Sequence, residues 1–159
     1  TRDLDQYKPH LLPIVPGAEV GPDGPYQEDD WTADVDLERA TSFSRSVWGV
    51  ERLRVLVLYG SLSRGESPKF KHLIDPRSYS KLMALEAARL LEKMGCDVRV
   101  FNPQGLPVKD EVSESHAKVQ ELRELSDWSQ AQFWSSPEQH GNITAVMKNQ
   151  SEPEYRGIG

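Results

Sequence analysis

Cysteine is all but absent. Cys96 is the only one in 159 residues, so no disulfide can form within the chain and a reducing compartment is expected. That lone thiol suits a small residue near a helix-to-strand turn; a reactive thiol is the other reading. Histidine is scarce as well, four in all, and none is grouped with Cys or Asp, so no metal site is expected. No apolar run approaches the roughly 20 residues of a membrane span. The opening residues carry neither a signal peptide nor an Arg-rich transit pattern. Basic blocks are missing, and the formal net charge is −6, which argues against a nucleic-acid partner. A cytoplasmic, soluble chain with no membrane partner is the expectation.

Several motifs are missing too. No G-x-G-x-x-G follows a strand, so the dinucleotide fingerprint is absent. No G-x-x-x-x-G-K-[ST] occurs, which excludes nucleotide triphosphatase chemistry of that type. Ser135 and Ser136 lack a G-x-S-x-G elbow, which argues against a hydrolase. An acidic pair at the end of the first strand, which a receiver domain needs, is absent at Tyr59-Gly60. Hydrophobic residues make up only 37%, below the globular norm, and the deficit lies mostly before Val50.

Residues 1–50 read as an irregular N-terminal arm. Pro13, Pro16, Gly17, Gly21, Pro22, Gly24 and Pro25 break it, and Glu28, Asp29 and Asp30 follow. A short helix is expected over Val35–Ala40. The arm is either a solvated tail or a segment packed on a neighbouring subunit through Trp31, Phe43 and Trp48.

Residues 51–150 hold the periodic pattern. Leu53 to Tyr59 reads as a strand buried on both faces. A long loop follows from Leu62 to Pro76. Ser78 or Ser80 caps the next helix, whose apolar stripe is Met83, Ala87, Leu90, Leu91 and Met94. Gly95 stops it in the left-handed conformation, and Asp97–Phe101 is the second strand. A helix over His116–Asp127, capped by Ser115, turns Val119, Leu122 and Leu125 inward. Gln130–Ser135 is the third strand. Asn142 is expected to cap a last helix carrying Ile143, Val146 and Met147. Residues 151–159 form an irregular tail.

Successive β-α units with parallel strands predict an α/β doubly wound sheet with right-handed crossovers. Ligands of such sheets sit at the carboxyl ends of the strands, where strand order reverses. Two polar loops leave strand carboxyl ends, one after Gly60 and one after Ser135. The first offers the Ser61, Ser78 and Ser80 hydroxyls, the Arg77 fork and a helix N-terminus, the parts of a cradle for a phosphate monoester such as that of flavin mononucleotide (FMN). The other reading is that Ser78 and Ser80 only cap the helix. The second loop, Ser136-Pro-Glu-Gln-His-Gly141, suits the edge of a flat ring. His140 there is either an acid or stacking group, or a turn residue beside Gly141.

Tyr59-Gly-Ser-Leu62, Arg77-Ser-Tyr-Ser-Lys-Leu82, Glu86-Ala-Ala-Arg-Leu-Leu91, Lys118-Val-Gln-Glu-Leu-Arg-Glu-Leu-Ser126, Ser136-Pro-Glu-Gln-His-Gly141 and Met147-Lys148 together resemble the ArsH-type arsenical-resistance proteins. Those belong to the NADPH-dependent FMN reductases. The resemblance implies a flavodoxin-like three-layer sandwich, with non-covalent FMN and NADPH as co-substrate. It also implies a small-molecule electron acceptor (oxygen, quinones, azo compounds or organoarsenicals) and a homotetramer. By motif, Ser61, Arg77, Ser78, Tyr79 and Ser80 would surround the FMN phosphate. Ser136, Pro137, Glu138, Gln139, His140 and Gly141 would edge the ring. No catalytic acid or base is implied, since the flavin carries the chemistry.

Two departures from the family pattern stand out. About a dozen residues, near Ser63 to Pro76, separate Gly-Ser-Leu from Arg-Ser-Tyr-Ser, and Ser63 stands where the family places Arg. The family's last third, with a fourth and fifth strand, has no counterpart. The expectation is therefore a truncated sheet of about three strands, order 2-1-3, with Phe133 and Trp134 on an open edge. The alternative function is a non-catalytic remnant that binds intact subunits or another partner through the arm and that edge.

Overall fold

The computed structural model describes residues 6–11, 37–49, 52–62, 78–110 and 112–151. Arg77, Trp31, the segment from Ser63 to Pro76 and the tail beyond Ser151 lie outside these residues.

Strand β1, Arg54–Tyr59, is buried from Val55 onward. It lies between β2, Asp97–Val100, and β3, Ala131–Ser135, in the order β2-β1-β3 with both pairings parallel. Arg54 aligns with Asp97 and Val55 with Ala131. The expected α/β sheet and its order are borne out. A central parallel strand has no solvent face, so both sides of β1 are apolar. Val55, Val57 and Tyr59 pack with Ala84, Leu85, Ala88, Val98 and Val100 on one side. Leu56 and Leu58 pack with Phe101, Val119, Leu122, Leu125 and Met147 on the other. Helices therefore cover both faces, making three layers.

Helix α1 spans Leu37–Trp48 and runs past the Ala40 end of the short helix expected over Val35–Ala40, whose first two residues lie outside the described ones. Phe43 on it is 70% exposed, so it anchors nothing among the described residues. Helix α2 spans Tyr79–Lys93. Its buried face is Ser80, Ala84, Leu85, Ala88, Arg89 and Glu92, rotated from the expected stripe; Met83 is 65% exposed. Ala84 and Ala88 let the helix approach the sheet closely, and shape outranks side-chain hydrophobicity at that contact. Buried Arg89 is held by a two-pronged contact with Glu86, at 3.0 and 2.6 Å. Gly95 ends the helix at φ +84° as expected, with Cys96 N–H donating to Leu91 O at 3.0 Å.

Helix α3 spans Ala117–Trp128 and turns Val119, Leu122 and Leu125 inward, as expected. Its cap is His116, whose Nδ1 accepts from the Lys118 amide at 3.1 Å. Ser115 instead closes a short 3-10 turn, Ser113–Ser115. After β3, the expected turn is a small hairpin. Strand β4, Glu138–Gln139, pairs antiparallel with β5, Asn142–Ile143. His140 at φ 53° and Gly141 at φ 76° make the two-residue bend. Helix α4 then spans Ala145–Ser151. Asn142 and Ile143 thus belong to β5, and the cap of α4 is Thr144, whose Oγ1 accepts from the Met147 amide at 3.1 Å.

The N-terminal segment is not wholly irregular. A 3-10 turn, Pro9–Leu11, buries His10, and Tyr7 is buried with the core. The Val100 amide donates to Tyr7 O at 2.8 Å, which occupies part of the outer edge of β2. Lys8 and His10 face Glu92, with Lys8 Nζ 2.5 Å and His10 Nε2 3.6 Å from its Oε1. Burial alone would raise the Glu92 carboxyl, but His10 and Lys8 outweigh it and hold it at about 2. Phe133 and Trp134 on β3 are exposed, as expected.

Candidate functional site

The carboxyl end of β1 is the point where the sheet's two neighbouring strands diverge in chain order, one following α2 and the other α3. Such a switch point opens a crevice between the loops on either side. Gly60 sits there, buried, and its amide donates to Ser135 O at 2.8 Å. A Cβ at position 60 would stand 2.6 Å from Ser136 Oγ, 2.8 Å from Thr144 Oγ1 and 2.9 Å from Met147 Cβ. Only glycine lets the β1 turn lie this close to the loop after β3.

Ser61 is the next residue, and the N-terminus of α2 meets it. Ser61 Oγ and Ser78 Oγ are hydrogen-bonded. Ser80 Oγ donates to Ser61 Oγ at 3.0 Å. Ser78 is also the cap of α2, since its Oγ accepts from the Lys81 amide at 3.2 Å. Capping and gathering are therefore not alternatives: one hydroxyl does both. The first-turn amides of a helix have no preceding carbonyl in register, and they carry the positive end of the helix dipole. Three neutral hydroxyls beside that end form a donor set for an anion. Tyr79, between the two serines, is 80% exposed. Arg77 lies outside the described residues.

The second loop is placed differently. Ser136 Oγ donates to Pro137 O at 2.9 Å and lies against the Gly60 turn. Its hydroxyl is thus turned into the protein. Pro137 is half-buried, and Glu138, Gln139, His140 and Gly141 are exposed on the hairpin. The structure brings Ser136 against the Gly60 turn beside Ser61, while the exposed hairpin residues form a separate projection.

Three further residues shape the crevice and were not legible as such. Thr144 Oγ1 donates to Gly60 O at 2.6 Å. Gln150 Nε2 donates to Tyr59 O at 3.0 Å. Asn149 Nδ2 donates to Pro107 O at 2.8 Å and its Oδ1 accepts from the Lys109 amide at 3.2 Å, tying the loop after β2 to α4. A Thr three residues before an inward Met is a capping position, and that spacing could have marked Thr144. Tyr59 Oη donates to Asn102 Oδ1 at 3.0 Å, and burial pushes its phenol up to about 12. It is a fixed donor, not a proton shuttle. Among the described residues, no group of three or more His, Cys, Asp or Glu side chains could hold a metal. Nor is any helix among them long and apolar enough to cross a membrane.

The sequence model of one family, described as NADPH-dependent FMN reductase, matches residues 53–152. The chain belongs to the NADPH-dependent FMN reductase family. Three curated relatives carry the description "NADPH-dependent FMN reductase ArsH". The protein of Rhizobium meliloti (strain 1021) is 50% identical over 106 residues, 67% of this chain and 39% of the relative. That of Shigella flexneri is 48% identical over 99 residues, 62% of this chain and 34% of the relative. That of Acidithiobacillus ferrooxidans is 46% identical over 97 residues, 61% of this chain and 36% of the relative. The matches thus span 34–39% of each relative's length. The family match begins at the first residues of the β1 segment and takes in both crevice loops.

Proposed function

We propose that this chain carries the FMN phosphate-binding part of an NADPH-dependent FMN reductase of the ArsH type, and that Ser61, Ser78 and Ser80 hold the FMN phosphate. The observation behind this reading is the meeting of the three hydroxyls at the N-terminus of α2. They fit the group. A phosphate monoester accepts hydrogen bonds on several oxygens, and the hydroxyls can rotate from one another toward it. The helix dipole favours its charge. Gly60 keeps the turn free of a side chain. Arg77, next in sequence to Ser78, would add a cation. Tyr79 would stand beside the phosphate rather than on it, as its exposure suggests.

Ser136, Pro137, Glu138, Gln139, His140 and Gly141 would edge the flavin ring. Ser136 would act by shaping the loop, because its proton is committed to Pro137 O. FMN, when bound, would supply the two-electron chemistry between NADPH and the acceptor. The residues of this chain would bind and orient it. The acceptor class in this reading is a small oxidised molecule: oxygen, a quinone, an azo compound or an organoarsenical, with a role in arsenic resistance. The setting in this reading is cytoplasmic and the assembly a homotetramer. The relatives' descriptions support the NADPH, FMN and ArsH parts of the proposal.

Titration of FMN against the purified chain, read by quenching of flavin fluorescence, tests the reading. Saturable binding followed by FMN-dependent NADPH oxidation is expected. A colourless chain that quenches no flavin would end it.

The exposure of Phe133 and Trp134 on β3 favours a second reading. An exposed apolar strand is a template for pairing, so the chain would bind intact subunits or another partner without turning over. Size-exclusion chromatography separates the two: a flavin-loaded tetramer of this chain alone contradicts the second.

A further inference from the structure

We propose that Thr144 is a positioning residue for the phosphate cradle, acting by fixing the peptide plane between Gly60 and Ser61. This rests on the reading of Ser61, Ser78 and Ser80 as the FMN phosphate site.

The argument starts from hydrogen-bond bookkeeping. Thr144 is buried. Its hydroxyl has one proton, and that proton goes to Gly60 O at 2.6 Å. A lone pair of the same oxygen receives the Met147 amide at 3.1 Å. Ser136 Oγ is 3.4 Å from Thr144 Oγ1 and 3.4 Å from the Thr144 amide nitrogen. Since the Ser136 proton is spent on Pro137 O, its oxygen accepts from that amide. Thr144 is therefore joined to both crevice loops and to its own helix, with each polar atom of its side chain satisfied.

The two peptide planes at the end of β1 are held by different means. In the Tyr59–Gly60 plane, Gln150 binds the Tyr59 carbonyl and Ser135 O binds the Gly60 amide. Both ends of that plane are fixed. In the Gly60–Ser61 plane, the hydroxyl of Thr144 holds the carbonyl. The Ser61 amide has no partner among the described residues. A trans peptide is planar, with C=O and N–H pointing opposite ways. Pinning Gly60 O against α4 therefore aims the Ser61 N–H away from α4. Glycine turns easily about φ and ψ, so without that pin the plane could rotate. The Ser61 hydroxyl, on the residue that carries this amide, already meets Ser78 and Ser80. A phosphate bound by those hydroxyls would take the Ser61 amide as a further donor, provided that the plane stays where Thr144 holds it.

Two variants and two flavins test this. Thr144→Val keeps the shape and removes the hydroxyl; Thr144→Ser keeps the hydroxyl and removes the methyl. Thr144→Val should weaken FMN binding about tenfold, equivalent to about 1.4 kcal/mol, and riboflavin, which lacks the phosphate, by less than about twofold. Thr144→Ser should restore FMN affinity to within about twofold of the wild type. Wild-type FMN affinity in Thr144→Val, or equal losses for FMN and riboflavin, overturns the inference. A wild-type chain that binds no FMN removes the proposed function and this inference together. A second measurement needs no variant: in the ¹⁵N-labelled wild type, the Ser61 amide resonance should shift with FMN and stay nearly unmoved with riboflavin. Equal responses to the two would overturn the inference even if Thr144→Val failed to fold.

Discussion

Lys8 Nζ lies 2.5 Å from Glu92 Oε1 across 84 positions of the chain, and this contact fastens the N-terminal segment to the far end of α2. Arg52 adds a weaker approach, its Nη2 3.5 Å from Glu92 Oε2, and Lys8 also stands 3.3 Å from Asp97 Oδ1. Glu92 is the hub of this group, and it is almost fully buried.

Stability should fall in acid through Glu92. Its carboxyl is at about 2 in the folded chain against an ordinary 4.5. The unfolded state therefore takes up the proton first. The contribution is fully present above about pH 4.5 and is lost as the pH falls toward about 2, amounting to about 3 kcal/mol. Urea melts between pH 7 and pH 3 should show that slope. Glu92→Gln should flatten it, and should cost about 3 kcal/mol at pH 7, because the buried charge that Lys8 and Arg52 face is gone and Lys8 keeps only Asp97 among the described residues.

The cradle serines should act as a coupled set. Ser61→Ala and Ser80→Ala should each weaken FMN about tenfold, the worth of a hydrogen bond to a charged group. Riboflavin should hardly notice. Because Ser61 and Ser80 are bonded to each other, the double variant should lose less than the two single losses combined. Ser78→Ala should differ from both, with an added stability loss of about 1 kcal/mol for the missing helix cap. Flavin titration and thermal melts on the four variants check this.

Gly60→Ala should be costly although alanine is small. Its Cβ meets Ser136 Oγ, Thr144 Oγ1 and Met147 Cβ at under 3 Å, and the α4 backbone would have to move. A loss of about 1–3 kcal/mol is expected, together with weaker FMN binding, because the displaced turn carries Ser61. Differential scanning calorimetry and the same titration read both effects.

Cys96 should be inert. Burial raises its thiol above the usual range, the Glu92 charge raises it further, and Arg52 opposes them in part. A thiol reagent at pH 8 should modify the native chain far more slowly than the chain in urea. Equal rates would show an accessible, ionised thiol instead.

The sheet could be read from residues because β1 has one answer. Val, Leu and Tyr without a polar alternation fit only the middle of a parallel sheet, and Gly95 could only be a stop. The rotation of α2 could not be read so easily. Met83 outranks Ala84 in hydrophobicity, yet the helix needs Ala84 and Ala88 against β1 for close approach. The hairpin at His140-Gly141 was hidden because two-residue strands leave almost no pattern. Asn142 and Thr144 are both capping residues, and only the hairpin decides between them. In the N-terminal segment one buried Tyr7 and one buried His10 stand beside a run of breakers, and no period marks them. The three serines were visible as hydroxyls near a turn. Their meeting was expected from the cradle reading and the motif, while the long segment between Ser61 and Ser78 hid how near their oxygens come.

The central position of β1 also bears on the order of synthesis. Among the described strands it comes first in chain order, yet its neighbours are the next two, β2 on one edge and β3 on the other. Until Asp97–Val100 is made, this apolar strand lacks both of the partners it has among the described residues, and until Ala131–Ser135 follows, it has one of the two. Such a strand needs shelter while translation continues, so yield during expression should depend on chaperone supply and elongation rate more than on the stability of the finished sheet.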